Sequence, residues 1–292
     1  MSTRTMAISS SQQSSALHDN KYREILDFRC FDNEPIDSTQ DETKRLLSEL
    51  YEENDGALKS SSAIAVLAKQ QTSGRGTNGR VWEAPAGNLY LTMAVPLQQI
   101  PVTITLLPLQ VGVAIAQVLQ EYLPQSSPIL NTEKEGFPPG IAVKWPNDVL
   151  VDHRKIAGVL IENWLSPSNQ DIWLLIGVGI NVAHAPSLPS GVREATCLQE
   201  YHDDRLDNDT TKEMGEKLVY SLLDWISNKA KDKSATEHQV LQDWKSWAQF
   251  GQVYKIRETG EEVVTLDIKS DGQLKVRGAD GQERYLVADY LH

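Results

Sequence analysis

The stretch SGRGTNGRVW, residues 73–82, lies between two apolar runs, SSAIAVLAKQ before it and NLYLTMAVPL after it. Its glycines let a backbone come close to a ligand. Arg75 and Arg80 can each grip a carboxylate or a phosphate with a two-pronged fork, and Trp82 can stack on a planar ring. Two familiar nucleotide loops are excluded. A Walker loop needs Gly-Lys-Ser/Thr, and a dinucleotide fingerprint opens a helix, whereas here a second strand follows. A glycine-rich hairpin loop around a buried Trp fits the same residues.

Working outward, the chain reads as α+β. LDFRCF is a strand, and in DSTQDETKRLLSELYEE the spacing of Thr39 and Glu42 predicts a capped helix running to about Glu53. LLPLQVGVAIAQVLQEYL predicts a long apolar helix that Pro124 ends. The segment from 124 to 140 has turn chemistry and reads as a surface excursion. IAVKWPNDVLV and IAGVLIENW, around a polar turn at DHRK, predict a hairpin, and IWLLIGVGINV predicts one more strand. A helical region follows from about Thr210 to Ala248, and then QVYKIRE, EVVTLDIKS, QLKVRG and ERYLVAD predict four short strands of a small barrel. The expected organisation is a tail over residues 1–24, a main domain over 25–248 and the barrel over 249–292.

Composition narrows the function. The 292 residues carry a formal net charge of -12, which argues against broad nucleic-acid binding. The two cysteines, Cys30 and Cys197, make no disulfide framework and point to a reducing, cytoplasmic setting. No run is read as approaching the roughly 18 apolar residues of a membrane span. The Ser- and Gln-rich first twenty residues read as a disordered tail, with organellar targeting as the alternative.

Further segments carry candidate chemistry. Lys144 ends the strand run Ile141-Ala142-Val143, and Pro146 breaks that strand. An ammonium there can point into a cleft and stabilise charge added during reaction, or it can be an ordinary solvated lysine. Asn147 and Asp148 read as turn formers. Gly177 and Gly179 in IGVGIN leave no side chain at a strand end, so a ligand can lie against the backbone. Ser38 and Thr39 start a helix, where they can cap it and where free N–H groups attract polar ligands.

In this order and at these intervals, DSTQ, QTSGRGTNGRVW, KWPNDVLV, RKIAGVLIE and IGVGIN resemble the catalytic domain of biotin protein ligases, over about residues 25 to 200. The resemblance implies a mixed sheet flanked by helices, like a class II synthetase, with an SH3-like C-terminal barrel. It implies that ATP and biotin give biotinyl-5′-AMP, with Mg²⁺ as companion, and that a lysine of a biotin carrier domain takes the biotinyl group. The acceptor would be an acyl-CoA or pyruvate carboxylase, and the ligase a monomer or homodimer with no nucleic-acid or membrane partner. With about 24 residues before its first strand, the chain is expected to lack an operator-binding domain.

The same resemblance implies roles. Ser38, Thr39 and Gln71 would bond the ureido ring of biotin. Gly74, Arg75 and Gly76 would belong to a mobile lid over biotin and the adenylate. Lys144 would hold the reacting carboxylate and phosphate oxygens and, with Arg75, serve catalysis. Trp82 would lie by the adenine, Asn181 near the nucleotide, and Lys155 and Gly158 in the same pocket. Two positions depart from the better-known bacterial members: Gln40 stands where they have Asn, and Thr77 where they have Arg. The competing readings are ligation of lipoate or octanoate, and capture of biotin without catalysis.

Overall fold

The computed structural model describes residues 21–22, 24–31, 34–55, 58, 62–124, 140–167, 170–187, 194–227, 232–256 and 259–287. The expected N-terminal tail, apart from a few residues at its end, and nearly all of the excursion at 124–140 lie outside them.

Seven strands form the main sheet: β1 (Leu26–Phe31), β2 (Ala63–Ala68), β3 (Leu89–Pro96), β4 (Ile141–Lys144), β5 (Asp148–Val151), β6 (Arg154–Leu165) and β7 (Ile172–Ile180). Their order is β1-β2-β3-β7-β6-β5-β4. Only β1 and β2 run parallel, and the other neighbours are antiparallel. The predicted hairpin is therefore a three-stranded meander. Trp145, Pro146 and Asn147 make a turn of their own between β4 and β5, with a cis Trp145–Pro146 bond. Asp152 and His153, both at positive φ, close the two-residue turn between β5 and β6.

Helix α1 (Thr39–Glu53) covers one face of the sheet. Its cap is Ser38, whose Oγ accepts from the N–H groups of Gln40 and Asp41. Thr39, expected in that role, is one residue inside the helix, with its hydroxyl bound to Gln71. Helices α2 (Leu107–Tyr122), α3 (Asn208–Ser227) and α4 (Lys233–Trp247) pack together, and α2 and α3 contact the sheet. The single helical region expected after Thr210 is thus two helices.

Strand alternation sorts the core into two layers. Ile64 and Val66 of β2, Ala94 of β3 and Trp173 and Leu175 of β7 pack with Leu46, Leu47 and Tyr51 of α1. The alternate residues Ala63, Ala65, Leu67, Leu91, Met93, Leu174 and Ile176 join Leu109, Val113, Met214 and Leu218 from the other helices. Each fully buried large side chain contributes about 1.5–3 kcal/mol. Ile104–Tyr122 is long and apolar enough, by length and composition, to cross a membrane. The sequence reading passed over it, and in the fold it is the buried core helix, with Leu107, Leu109 and Ile115 fully covered.

The four C-terminal strands are β8 (Val253–Lys255), β9 (Glu262–Ile268), β10 (Leu274–Gly278) and β11 (Glu283–Leu286), paired antiparallel in the order β11-β10-β9-β8. Val263, Ile268, Leu274 and Val276 bury into the same apolar cluster as the main sheet. Trp145 Nε1 donates to the Gly272 carbonyl at 2.9 Å, and Thr105 Oγ1 to that of Asp271 at 2.8 Å. Both bonds tie this small sheet to the main body.

Candidate active site

The α1-side face of the main sheet is apolar under the helix body and changes character past the helix N-terminus. Residues directly opposite in neighbouring strands share a face, so register defines rows across the sheet. One row is Val66, Thr92, Gly177 and Leu160. The next is Ala68, Tyr90, Gly179, Gly158, Asp148 and Lys144. Small residues in the middle of these rows leave a trough, and the second row ends in a carboxylate and an ammonium. A cleft of about 1480 Å³ runs along it, from Ser38 and Gln71 at one end to Lys144 and the C-terminal sheet at the other.

The end at α1 is neutral and densely hydrogen-bonded. Gln71 Oε1 accepts from the Thr39 backbone N–H at 2.7 Å and from Thr39 Oγ1 at 3.1 Å. Thr92 Oγ1 donates to Thr39 Oγ1 at 2.9 Å. Gln40 Nε2 donates to the Leu160 carbonyl at 3.1 Å. Ser38, Thr39, Gln40 and Thr92 are all buried.

The glycines are needed by the protein itself. A Cβ on Gly177 would lie 2.5 Å from Gln40 Nε2, and one on Gly179 would lie 2.7 Å from the Trp82 indole. On Gly158 it would meet Trp82 at 3.0 Å and Lys155 Nζ at 3.2 Å. All three glycines line the cleft, with neighbouring side chains packed close over them. The Gln40 amide covers Gly177, and the Trp82 indole covers Gly179 and Gly158.

The glycine loop is a folded turn. Gly76 N–H bonds the Arg80 carbonyl and Trp82 N–H that of Gly74, each within 2.9 Å. Asn78 and Gly79 turn the chain at positive φ. A Cβ on Gly74 would come within 2.5 Å of the Trp82 carbonyl, so the close approach needs glycine there. Arg75 forks onto Asp41, with Nη1 at 2.5 Å and Nη2 at 2.8 Å, and reaches Glu162 at 3.5 Å. Lys44 also pairs with Glu162, at 2.5 Å. Two cations and two carboxylates therefore balance. Arg75 holds the Asp41 carboxyl below its usual range.

The far end of the cleft gathers positive charge around a buried carboxylate. Asp148 meets Lys155 Nζ at 2.5 Å and Lys144 Nζ at 3.8 Å. Burial pushes its carboxyl up, but Lys155, Lys144 and Arg80 outweigh burial and hold it below the usual value. Three cations thus act on this carboxylate. Lys144 also lies 5.5 Å from the ring centre of Tyr254 in the C-terminal sheet, and Lys155 5.1 Å from that of Trp82. Asn181 Nδ2 donates to the Thr196 carbonyl, leaving its buried Oδ1 without a partner, as is the buried Trp82 Nε1.

The structure brings Ser38, Thr39, Gln71, Arg75, Gly76, Trp82, Lys144, Lys155, Gly158 and Asn181 to one cleft. Gly74 is behind it, in the loop that carries Arg75. Sequence reasoning missed Asp148, taken only as a turn former, and Asp41 and Glu162, the partners of Arg75. It also missed Tyr254. The signal for Asp148 is register: it pairs with Lys144 and Gly158, which the spacing of KWPND alone does not reveal.

The profile of the Biotin/lipoate A/B protein ligase family matches residues 35–181, half of the chain, including every residue of both rows. The chain belongs to this family. The family match starts just before Ser38 and stops at Asn181, so the C-terminal sheet is outside it. The chain is 38% identical over 129 residues to the Bifunctional ligase/repressor BirA of Escherichia coli (strain K12), covering 44% of this chain and 35% of that protein. It is 35% identical over 127 residues to the Biotin--[acetyl-CoA-carboxylase] ligase of Paracoccus denitrificans, covering 43% of this chain and 47% of that one. These alignments thus span less than half of either relative. The structural match to the biotin protein ligase of Leishmania major in complex with biotin is longer. It covers 90% of this chain and 99% of that chain, with a TM-score of 0.58 and 27% identity.

Proposed function

We propose that this chain ligates biotin to a lysine of a biotin carrier domain, through biotinyl-5′-AMP. The observation that carries the reading is the single cleft with two unlike ends. The neutral end suits a small polar ring, and the cationic end suits the acyl phosphate formed on a carboxylate. The enzymatic relatives of the family fit this assignment.

In the first step a carboxylate oxygen of biotin attacks the α-phosphorus of ATP, and pyrophosphate leaves. Carboxylate and triphosphate repel each other, so preorganised positive charge lowers this barrier. Lys144, at the end of a sheet row, has the rigid backing such a charge needs, and Lys155 and Arg80 add to the field. Trp82 and Asn181 flank the space assigned to the nucleotide base. In the second step the carrier amine, deprotonated, attacks the acyl carbon, and AMP leaves. Arg75 can serve as a phosphate clamp by exchanging Asp41 for the anion.

Magnesium belongs to this proposal only as the counter-ion that arrives with ATP. Among the described residues no three His, Cys, Asp or Glu side chains are grouped to share a metal, and the one carboxylate beside Lys144 is bound to lysines. Residence in the cytoplasm and a carboxylase as acceptor are further parts of the proposal.

The test is the intact mass of a biotin carrier domain after incubation with this chain, ATP, Mg²⁺ and biotin. A gain of one biotinyl group is expected. A gain from lipoate or octanoate, and none from biotin, would transfer the reading to the other branch of the family.

A further inference from the structure

Among the described residues, the neutral end of the cleft has spent most of its hydrogen-bonding capacity on itself. The Thr39 hydroxyl has one hydrogen, and it goes to Gln71 Oε1. That oxygen also takes the Thr39 backbone N–H, so both its lone pairs are in use. The Ser38 oxygen accepts two helix N–H groups. What remains toward the cleft is mainly donors: the Ser38 hydroxyl hydrogen and the Gln71 amide nitrogen. These suit a carbonyl oxygen. A cyclic urea also has two N–H groups, and each needs an acceptor.

Gln40 has one. Its side chain is buried, 4% exposed, and lines the cleft. Its orientation is fixed chemically, because the atom facing the Leu160 carbonyl must be the donor nitrogen. The oxygen therefore faces the other way, and it is buried without a partner. A buried acceptor left unpaired costs about 1–3 kcal/mol, so such groups in native folds call for an explanation. The amide is also held in place from below. It occupies the space over Gly177 that any other residue there would fill.

We propose that Gln40 is a specificity-determining residue whose Oε1 accepts a ring N–H of the bound cyclic urea. The inference rests on the biotin reading above and deepens it. A fatty acyl chain has no N–H to offer this oxygen, so binding one would leave Gln40 unpaired. Gln40 thereby favours a cyclic urea over an aliphatic acid in a family that handles both kinds of ligand.

The experiment is calorimetric titration of the full chain, without ATP, using biotin and the two analogues in which one or the other ring N–H is replaced by oxygen. The proteins are the wild type and Gln40→Met, which keeps length but removes the acceptor. Biotin affinity should fall about 10- to 100-fold in the variant. One of the two analogues should bind wild type and variant within about twofold of each other, because the group Gln40 meets is already gone. Equal losses for biotin and both analogues would mean a purely structural role and overturn the inference, as would unchanged biotin affinity in the variant. A crystal structure of the wild type with biotin is independent of whether the variant folds. It should have a ureido nitrogen within about 3.2 Å of Gln40 Oε1. Nitrogens bonded elsewhere, with that oxygen still unpaired, also overturn the inference. If the wild type binds no biotin at all, the function proposed above fails instead, so the two failures are told apart.

Discussion

The two ends of the cleft are built on opposite principles. At the α1 end, Ser38, Thr39, Gln40, Gln71 and Thr92 contain no ionisable group, and Thr39, Gln71 and Thr92 bond one another. At the Lys144 end, Lys155, Lys144 and Arg80 act on the buried Asp148 carboxylate. A fixed hydrogen-bond network sets shape and rejects misfits, whereas clustered positive charge attracts an anion. The contrast separates choosing a ligand from activating it, though both ends stand on the same sheet rows.

The sharpest way to break this contrast is Lys144→Ala. Pyrophosphate release from ATP and biotin should fall about 10²–10³-fold, the usual cost of losing one charge-stabilising group. The melting temperature should stay near that of the wild type, since Lys144 is partly exposed. Turnover equal to wild type would remove Lys144 from the mechanism. Next in size is Gly179→Val, which drives a side chain into the Trp82 indole. Overpacking should cost about 1–3 kcal/mol in denaturant titration. Displacement of the indole should shift its fluorescence to longer wavelength and weaken ATP binding while leaving biotin binding nearly intact. Loss of both affinities alike would mean the two ends are not separable.

A smaller effect is expected at the neutral end. Thr92→Val keeps the shape and deletes the donor to Thr39, costing about 1 kcal/mol. KM for biotin should rise while kcat holds. The smallest effect concerns acid. Asp41 and Asp148 both have folded-state values held below the ordinary carboxylate range. Their contribution is fully present above about pH 4 and is lost as pH falls through the depressed folded values. Urea midpoints should decline less steeply below pH 4 in Asp148→Asn than in the wild type, whereas Thr92→Val should follow the wild-type slope. Identical slopes in all three would remove Asp148 from the acid response.

The charged end was the more legible in sequence, for a physical reason. Lys144 stands in a short motif whose residue types announce its chemistry, and Lys155 came from the resemblance. Strand periodicity also gave most of the main sheet, and Ile141-Ala142-Val143 before Lys144 marked that lysine as a strand end. Asp148 was hidden because its partners are set by register across three strands, which no local pattern encodes. Arg75 was legible as an anion grip, but its present partners lie 34 and 87 residues away. The glycines of IGVGIN were correctly singled out for what they lack. What fills the gap, an amide from α1 and an indole from the glycine loop, depends on how the elements pack. The split of the last helical region was missed because Leu, Trp and charged residues keep a helical period on both sides of the break.

The contact between Lys144 and Tyr254 has a bearing on chimeras. The family match ends at Asn181, yet the Lys144 ammonium has Tyr254 from beyond that limit as a neighbour, and Trp145 beside it is bonded to Gly272. Exchanging C-terminal sheets among relatives therefore changes the wall behind Lys144. On the function proposed above, such hybrids would differ in the activation step as well as in whichever protein they dock.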